Sequence, residues 1–274
     1  MDDVLGYAGK RAVVSGAASG MGAATVEVLH DLGATVIGLD RAAIDGPVDQ
    51  AVAVDLLDAD AIAAAADAVD GPVDFFFNTA GLPGPPFTDL ETMVVNFVGG
   101  RELIERTVPK MPSGSSIVYV ASAAAIGWQS NLGPYTELFG TDGYAAGKAW
   151  LEDHAELWEG NAYATSKQVI NAWTAWRSVP LMKDHGIRLN CTNPGPTTTA
   201  MMPHFHEAVG QALVDAALGP VGRYSTAEEQ AWAIVLIGSP RASYVVGETL
   251  YADGGFYGAL QTGQVDFSAF MPSE

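Results

Sequence analysis

The stretch RAVVSGAASGMG, residues 11–22, begins as an apolar run and ends among three glycines, Gly16, Gly20 and Gly22. The run over 11–15 predicts a strand, and the alanines and valines beyond it predict a helix over 22–32 that Gly33 ends. Between the two, glycines let the chain turn sharply, approach a bound group and seat the helix against the strand. The first turn of such a helix presents unpaired N–H groups and the positive end of its dipole, a setting that suits phosphate. Ser15, Gly16, Ser19, Gly20, Met21 and Gly22 are therefore the candidate cradle for a pyrophosphate. An ordinary glycine-rich turn has the same composition, so the next strand has to decide.

Residues 35–39 (TVIGL) predict that strand, and it delivers Asp40 at its end. A carboxylate there can accept hydrogen bonds from an adenosine ribose and repels a 2′-phosphate, which points to NAD. Arg41 can instead pair with a 2′-phosphate, so NADP remains the second choice. Further strands are predicted at 51–54, 73–77, 116–121, 187–192 and 249–252, with helices at 58–69, 91–107, 163–183 and 228–236. Alternation over short turns implies an α/β fold, one doubly wound parallel sheet of Rossmann type in a single domain over 1–274. The segment 123–162 is too long for a bare connection. Within it Trp150, Leu151, His154, Leu157 and Trp158 share one helical face, so it reads as a helical insertion. Pro180 should kink or break the long helix that follows.

Ligands of such sheets gather at the carboxyl ends of the strands. Asp55, with Leu56 behind it, can accept the adenine amino group, and a helix N-cap is equally open to it. Asn78, Ala80 and Gly81 follow the fourth strand, where Asn78 is expected to tie neighbouring strands together. The formal charge of -19 opposes nucleic acid and anionic membranes, because phosphates would be repelled, and reads as a solvated acidic surface. Cys191 has no second cysteine to pair with and sits in a predicted strand, so core packing is its expected role. The N-terminus lacks a basic stretch followed by an apolar run, and no segment approaches the ~20 apolar residues of a membrane span. A cytoplasmic location is the resulting expectation.

These motifs, in this order, resemble the classical short-chain dehydrogenases/reductases over essentially the whole chain. The glycine turn is similar to their Thr-Gly-x-x-x-Gly-x-Gly, with Ser15 in the threonine position. Asn78–Gly81 is similar to Asn-Asn-Ala-Gly, Thr79 being the departure. Asn96, Ser122 and the run Tyr163-Ala164-Thr165-Ser166-Lys167 match the family's asparagine, serine and Tyr-x-x-Ser-Lys. Pro194 and Gly195, with Thr197 and Thr199, resemble the run beside the nicotinamide, and Gly247 with Asp253-Gly254-Gly255 resembles the last strand region. The long 123–162 segment resembles the subgroup of 3α-hydroxysteroid dehydrogenase/carbonyl reductases and coniferyl-alcohol-dehydrogenase-like enzymes. The resemblance implies NAD-dependent exchange of a hydride between an alcohol and a carbonyl. It also implies that Lys167 holds the nicotinamide ribose and that Asn96 holds a water through which Lys167 exchanges protons. Members commonly form homodimers or homotetramers through the long helix, which Pro180 puts in doubt.

The chemistry also follows from the residues. Tyrosine, with an ordinary pKa near ~10, is a poor base at neutral pH. A lysine four positions on lies one turn away on the same helical face. The cation of Lys167, with a positive nicotinamide ring, should lower the pKa of Tyr163, while Ser122 holds the substrate oxygen. Tyr144 and Lys148 repeat the spacing, but 43 residues separate Tyr144 from Ile187 and Gly160-Asn161 interrupts any single helix between them. Tyr163 is therefore the expected proton carrier and Tyr144 a structural residue of the insertion. His204 and His206 lack the cysteine or carboxylate companions of a metal site, so no metal is expected and the pair reads as solvated or as lining the substrate entrance. Met201, Met202, Phe205, Val209 and Leu213 recur at near-helical spacing, which fits a core-facing stripe equally well; the family resemblance implies that the segment 198–222 is a lid over the substrate. With Ser122 and Tyr163, Met201, Met202 and Phe205 form the expected pocket for a bulky apolar alcohol or ketone. A dinucleotide sensor without turnover, or an NAD-assisted epimerase or dehydratase, are the alternatives; an intact proton donor disfavours the sensor.

Overall fold

The computed structural model describes residues 3–265. Seven strands form its single parallel sheet: β1 (Arg11–Ser15), β2 (Thr35–Asp40), β3 (Gln50–Ala53), β4 (Phe75–Asn78), β5 (Ser116–Val120), β6 (Arg188–Pro194) and β7 (Thr249–Ala252). Their order is β3-β2-β1-β4-β5-β6-β7, so the direction of winding reverses between β1 and β4. A crevice opens there because the crossovers leave to opposite faces. Every residue of β4, β5 and β6 is buried. This is the consequence of covering both faces, and it explains why these strands read as continuous runs, without alternation. Phe76 still faces one layer while Phe75 and Phe77 face the other.

The helices α1 (Gly20–Asp31) and α2 (Ala59–Ala68) stand where the sequence places them, with Asp58 capping α2. The helix expected over 91–107 is three pieces: α3 (Asp89–Met93), a π-helical stretch Val94–Gly99, and α4 (Gly100–Thr107). The reason is crowding against the sheet. A Cβ on Gly99 would lie 2.4 Å from the Leu56 carbonyl, and one on Gly100 would lie 2.1 Å from Tyr119 Oη. The Tyr119 hydroxyl donates to the Asn96 carbonyl at 2.5 Å, fixing the π-helical stretch to β5.

The insertion contains α5 (Leu132–Phe139) and α6 (Gly143–Asp153), with 3-10 turns at Ala123–Ala125, Trp128–Asn131 and Ala155–Leu157. The single face expected across Trp150, Leu151, His154, Leu157 and Trp158 is therefore corrected: α6 stops at Asp153, and Trp158 folds back to donate its indole N–H to the Leu151 carbonyl at 3.0 Å. The long helix α7 (Ala162–Pro180) carries Pro180 as its last residue in α register. The expected break is a change of register: the backbone stays helical through a π-helical stretch, Leu181–His185, until Gly186 adopts φ +70°. Beyond β6, Gly210 (φ +83°) divides the expected stripe into α8 (Met202–Val209) and α9 (Gln211–Ala216). Then α10 (Ala227–Gly238) starts at a Thr226–Glu229 capping box and packs with α1 on one face of the sheet, and α11 (Phe256–Gln261) follows β7.

Cys191 is buried at the centre of β6, where burial pushes its thiol up to about 11. Among the described residues no helix is long and apolar enough to cross a membrane.

The crowding at the π-helical stretch is testable. Gly100→Ala should cost about 1–3 kcal/mol of unfolding free energy in urea, the usual price of overpacking. Gly133→Ala in α5, where a Cβ meets nothing within 4 Å, should be neutral or mildly stabilising. Equal effects at the two positions would contradict this reading.

Candidate active site

The glycine turn after β1 is built for close approach. Gly16 holds φ +72°, and a Cβ there would lie 2.7 Å from the Ala80 amide nitrogen. At Gly22 a Cβ would lie 2.0 Å from the Gly16 carbonyl. Ser19 precedes α1 in extended conformation without spending its side chain on a cap. Ser15, Gly16, Ser19, Gly20, Met21 and Gly22 together line one wall of a cleft of about 380 Å³. Asp40, Arg41, Asp55 and Leu56 line its far end, and Ala80, Gly81, Thr199 and Met201 its near end. Leu82, Pro83, Phe87, Val95 and His204 also line the walls; the sequence reading offered His204 as lining a substrate entrance, and it missed Leu82, Pro83 and Phe87, whose loop carries no motif of its own. The backbone cradle, the helix start and the ribose-side carboxylate fit an adenine dinucleotide.

Asp40 accepts from the Ala18 amide at 3.0 Å and from the Ala42 amide at 2.9 Å. Asp55 accepts from the Leu57 amide at 2.9 Å, and the N-cap role once open to it belongs to Asp58. Asn78 stays out of the cleft: its side-chain oxygen accepts from Ser15, tying β4 to β1. Thr79 donates to the Ser15 carbonyl at 2.5 Å, so the departure from the family motif makes a second tie between the same strands. Pro194, Gly195 and Thr197, like Asn96, Ser122, Tyr163 and Lys167, are not among the residues that line this cleft itself. Pro194 pairs with Ala252, Gly195 abuts Asp253, and the Thr197 hydroxyl is engaged with the Gly195 carbonyl and Ser225.

At the near end the four remaining candidates meet. Ser122 lies two residues past the end of β5, its Oγ accepting from the Ala124 amide at 3.1 Å, with its hydroxyl near enough to the Tyr163 phenol to lower the phenol's pKa. Tyr163 lies in the first turn of α7, with Lys167 Nζ 5.6 Å from its ring centroid. Asn96 accepts from the Leu82 amide at 2.6 Å and donates to the Leu82 carbonyl at 3.1 Å and to Ser166 Oγ at 2.9 Å. Ser166 in turn donates to the Tyr163 carbonyl at 2.7 Å. Gly81 joins this cluster to the cleft, since a Cβ there would lie 3.2 Å from Asn96 Oδ1 and 3.5 Å from Lys167 Nζ. Phe205 meets Tyr163 edge-on at 4.8 Å between centroids, and Met202 is half-buried at the start of α8.

The electrostatics differ from the expected lysine effect. Burial pushes Tyr163 up to about 12, with the Ser122 hydrogen bond working against it. Burial also pulls Lys167 down to about 8. The ammonium is turned to the Val120 carbonyl at 3.1 Å, so its charge does not offset the desolvation of the phenol. As the chain's own groups set it, Tyr163 is a protonated donor at neutral pH, beside a hydroxyl that can orient an oxygen. Tyr144 is elsewhere, donating to the Leu57 carbonyl at 2.6 Å, while Lys148 pairs with Glu152 at 3.8 Å. His206 is bonded to Tyr224 at 3.1 Å, and no cluster of three metal-binding side chains occurs among the described residues.

Known proteins show the same pattern. Residues 12–175 match the NAD dependent epimerase/dehydratase family, and residues 147–257 match Enoyl-(Acyl carrier protein) reductase. The chain is 31% identical to coniferyl-alcohol dehydrogenase of Pseudomonas sp. (strain HR199), covering 90% of this chain and 96% of that one. It is 29% identical to 3-alpha-hydroxysteroid dehydrogenase/carbonyl reductase of Comamonas testosteroni, over 92% and 98% of the two chains. The solved 3-alpha-hydroxysteroid dehydrogenase of Pseudomonas sp. B-0831, complexed with NADH, superposes with a TM-score of 0.77 at 27% identity, covering 94% of this chain and all of that one.

The buried lysine makes stability depend on pH. Its folded pKa of about 8 lies below the ordinary value, so charging it opposes folding fully below pH 8, and the penalty fades as pH rises toward 10.5. Lys167→Met should therefore raise unfolding free energy at pH 7 by roughly 2 kcal/mol, the desolvation gain less the lost bond to Val120. The advantage over wild type should shrink as pH is raised from 8 to 10, in urea titrations of both proteins. A variant less stable than wild type at pH 7 would refute the assignment.

Proposed function

The chain belongs to the short-chain dehydrogenase/reductase family, and on that premise we propose that it interconverts a secondary alcohol and a ketone of a bulky, ring-containing apolar molecule with NAD(H). It is an oxidoreductase of alcohols and carbonyls; substrate class, cofactor preference and residue roles are the proposal. The observation that carries it is the convergence of Ser122, Tyr163 and Lys167 at the near end of the dinucleotide cleft, reached across Gly81.

Ser122 and Tyr163 hold the substrate oxygen between two hydroxyls. In reduction the proton moves from Tyr163 Oη to that oxygen, and in oxidation it moves the other way. When bound, the nicotinamide supplies or accepts the hydride and, oxidised, adds a positive charge that favours the ionised phenol. The cradle after β1, Asp40 and Lys167 are the residues that hold the dinucleotide. Asn96 acts by position: its amide protons are spent on Leu82 and Ser166, while Oδ1 keeps one acceptor site across Gly81 from Lys167. A water held there would exchange the lysine's protons with solvent. Met201, Met202 and Phe205 supply an apolar wall, and the 198–222 segment acts as a lid because Phe205 already rests on Tyr163. The 3-alpha-hydroxysteroid dehydrogenase/carbonyl reductase among the relatives supports a ring-containing secondary alcohol as substrate, and the coniferyl-alcohol dehydrogenase supports an alcohol more broadly. Trp232, Leu236 and Leu250, exposed on α10 and the edge strand β7, support a homo-oligomer.

Wild-type protein should reduce NAD+ with ring-containing secondary alcohols and turn over short polar hydroxy acids poorly. Tyr163→Phe should lower kcat by about 10²–10⁴-fold with NAD+ binding retained, while Tyr144→Phe stays active. The reverse pattern, or product formed without net change in cofactor, would overturn the reading, the latter in favour of epimerisation or dehydration. Asp40→Ala should narrow the preference for NAD+ over NADP+ in direct binding titrations. Tighter wild-type binding of NADP+ would sink the NAD proposal.

A further inference from the structure

Asp40 and Arg41 stand side by side with opposite chemistry: the carboxylate suits a ribose diol, and the guanidinium suits a 2′-phosphate. Orientation therefore decides between them. The Asp40 carboxylate is held at both oxygens, by the Ala18 and Ala42 amides, and each oxygen retains lone pairs for a ligand. Arg41 is exposed and makes no salt bridge among the described residues. Its guanidinium carbon lies 5.4 Å from the centroid of the Phe87 ring.

That contact spans the cleft. Arg41 follows β2, whereas Phe87 belongs to the loop after β4, and β1 separates the two strands in the sheet. Phe87 packs against the core cluster beneath it, so its ring is a fixed platform and Arg41 is the movable partner. Both side chains line the cleft at its adenosine end.

We propose that Phe87 is a specificity-determining residue for the cofactor, acting by holding the Arg41 guanidinium on its ring and away from a 2′-phosphate. A dinucleotide carrying that phosphate must first draw the cation off the ring. One without it does not need the cation and loses nothing. An exposed cation–π contact is worth about 2- to 5-fold in an equilibrium constant, which sets the size of the effect. The inference rests on the NAD reading of the same cleft and adds a residue that neither glycine motif nor ribose carboxylate contains.

The test is a double-mutant cycle read in the ratio of two dissociation constants, NADP+ and NAD+, on the full chain by calorimetric or fluorescence titration. Phe87→Ala should shift the ratio toward NADP+ by about 2- to 5-fold. Phe87→Tyr, which keeps the ring, should leave the wild-type ratio in place. In an Arg41→Ala background the shift from Phe87→Ala should vanish. An unchanged ratio in Phe87→Ala, an equal loss for both cofactors, or a shift that persists without Arg41 would each overturn the inference. A wild type that prefers NADP+ would refute the NAD proposal instead, and the coupling between Phe87 and Arg41 would still decide this one.

Discussion

The Asn96 side chain links the two halves of the site, and the geometry of both depends on it. Its amide bonds twice to Leu82, in the loop that walls the dinucleotide cleft, and once to Ser166, in the helix that carries Tyr163. The chain around Asn96 runs in π-helical turns, and Gly99 and Gly100 at their end let it pack directly against Leu56 and Tyr119. A buried amide is stable only with its hydrogen bonds made, so this network is costly to rearrange. The distance between cleft and phenol is thereby set by packing between α4 and the sheet, well away from either ligand.

The insertion has a comparable anchor. Arg101, buried on α4, donates to the Leu138 carbonyl at 2.9 Å, to Thr141 Oγ1 at 3.0 Å and to the Gly143 carbonyl at 2.9 Å, and it lies over Phe97. Burial pushes its pKa down, opposed by the neighbouring carboxylates of Glu102 and Glu105. A guanidinium taken out of water is tolerated when its donors are matched, and here it ties the end of α5 and the start of α6 to the domain. The insertion is thus held to α4, alongside the π-helical stretch that carries Asn96.

The proton site stores a cost of its own. Tyr163 and Lys167 are both pushed toward their neutral forms by burial, which opposes the ion pair that a surface helix would favour at the same spacing. The i, i+4 rule places the two side chains on one face, but which carbonyl the lysine meets depends on β5, through Val120. A spacing argument carries no information about that.

Sequence alone determined the sheet, because apolar runs broken by glycine turns leave few topologies, and it determined the cradle, because only glycine allows the contacts at 16 and 22. It also separated Tyr163 from Tyr144 by distance along the chain to Ile187. Local signals sufficed wherever the deciding contact lay within a few residues. The tertiary structure decided what long-range contacts decide: the π-helical register at Asn96, the split of the insertion after Asp153, and the passage of the backbone through Pro180 without a break. It alone placed Leu82, Pro83 and Phe87 on the walls of the cleft. These positions follow from close packing between elements far apart in the chain, and a side chain's neighbours across a sheet are not written in its neighbours along the sequence.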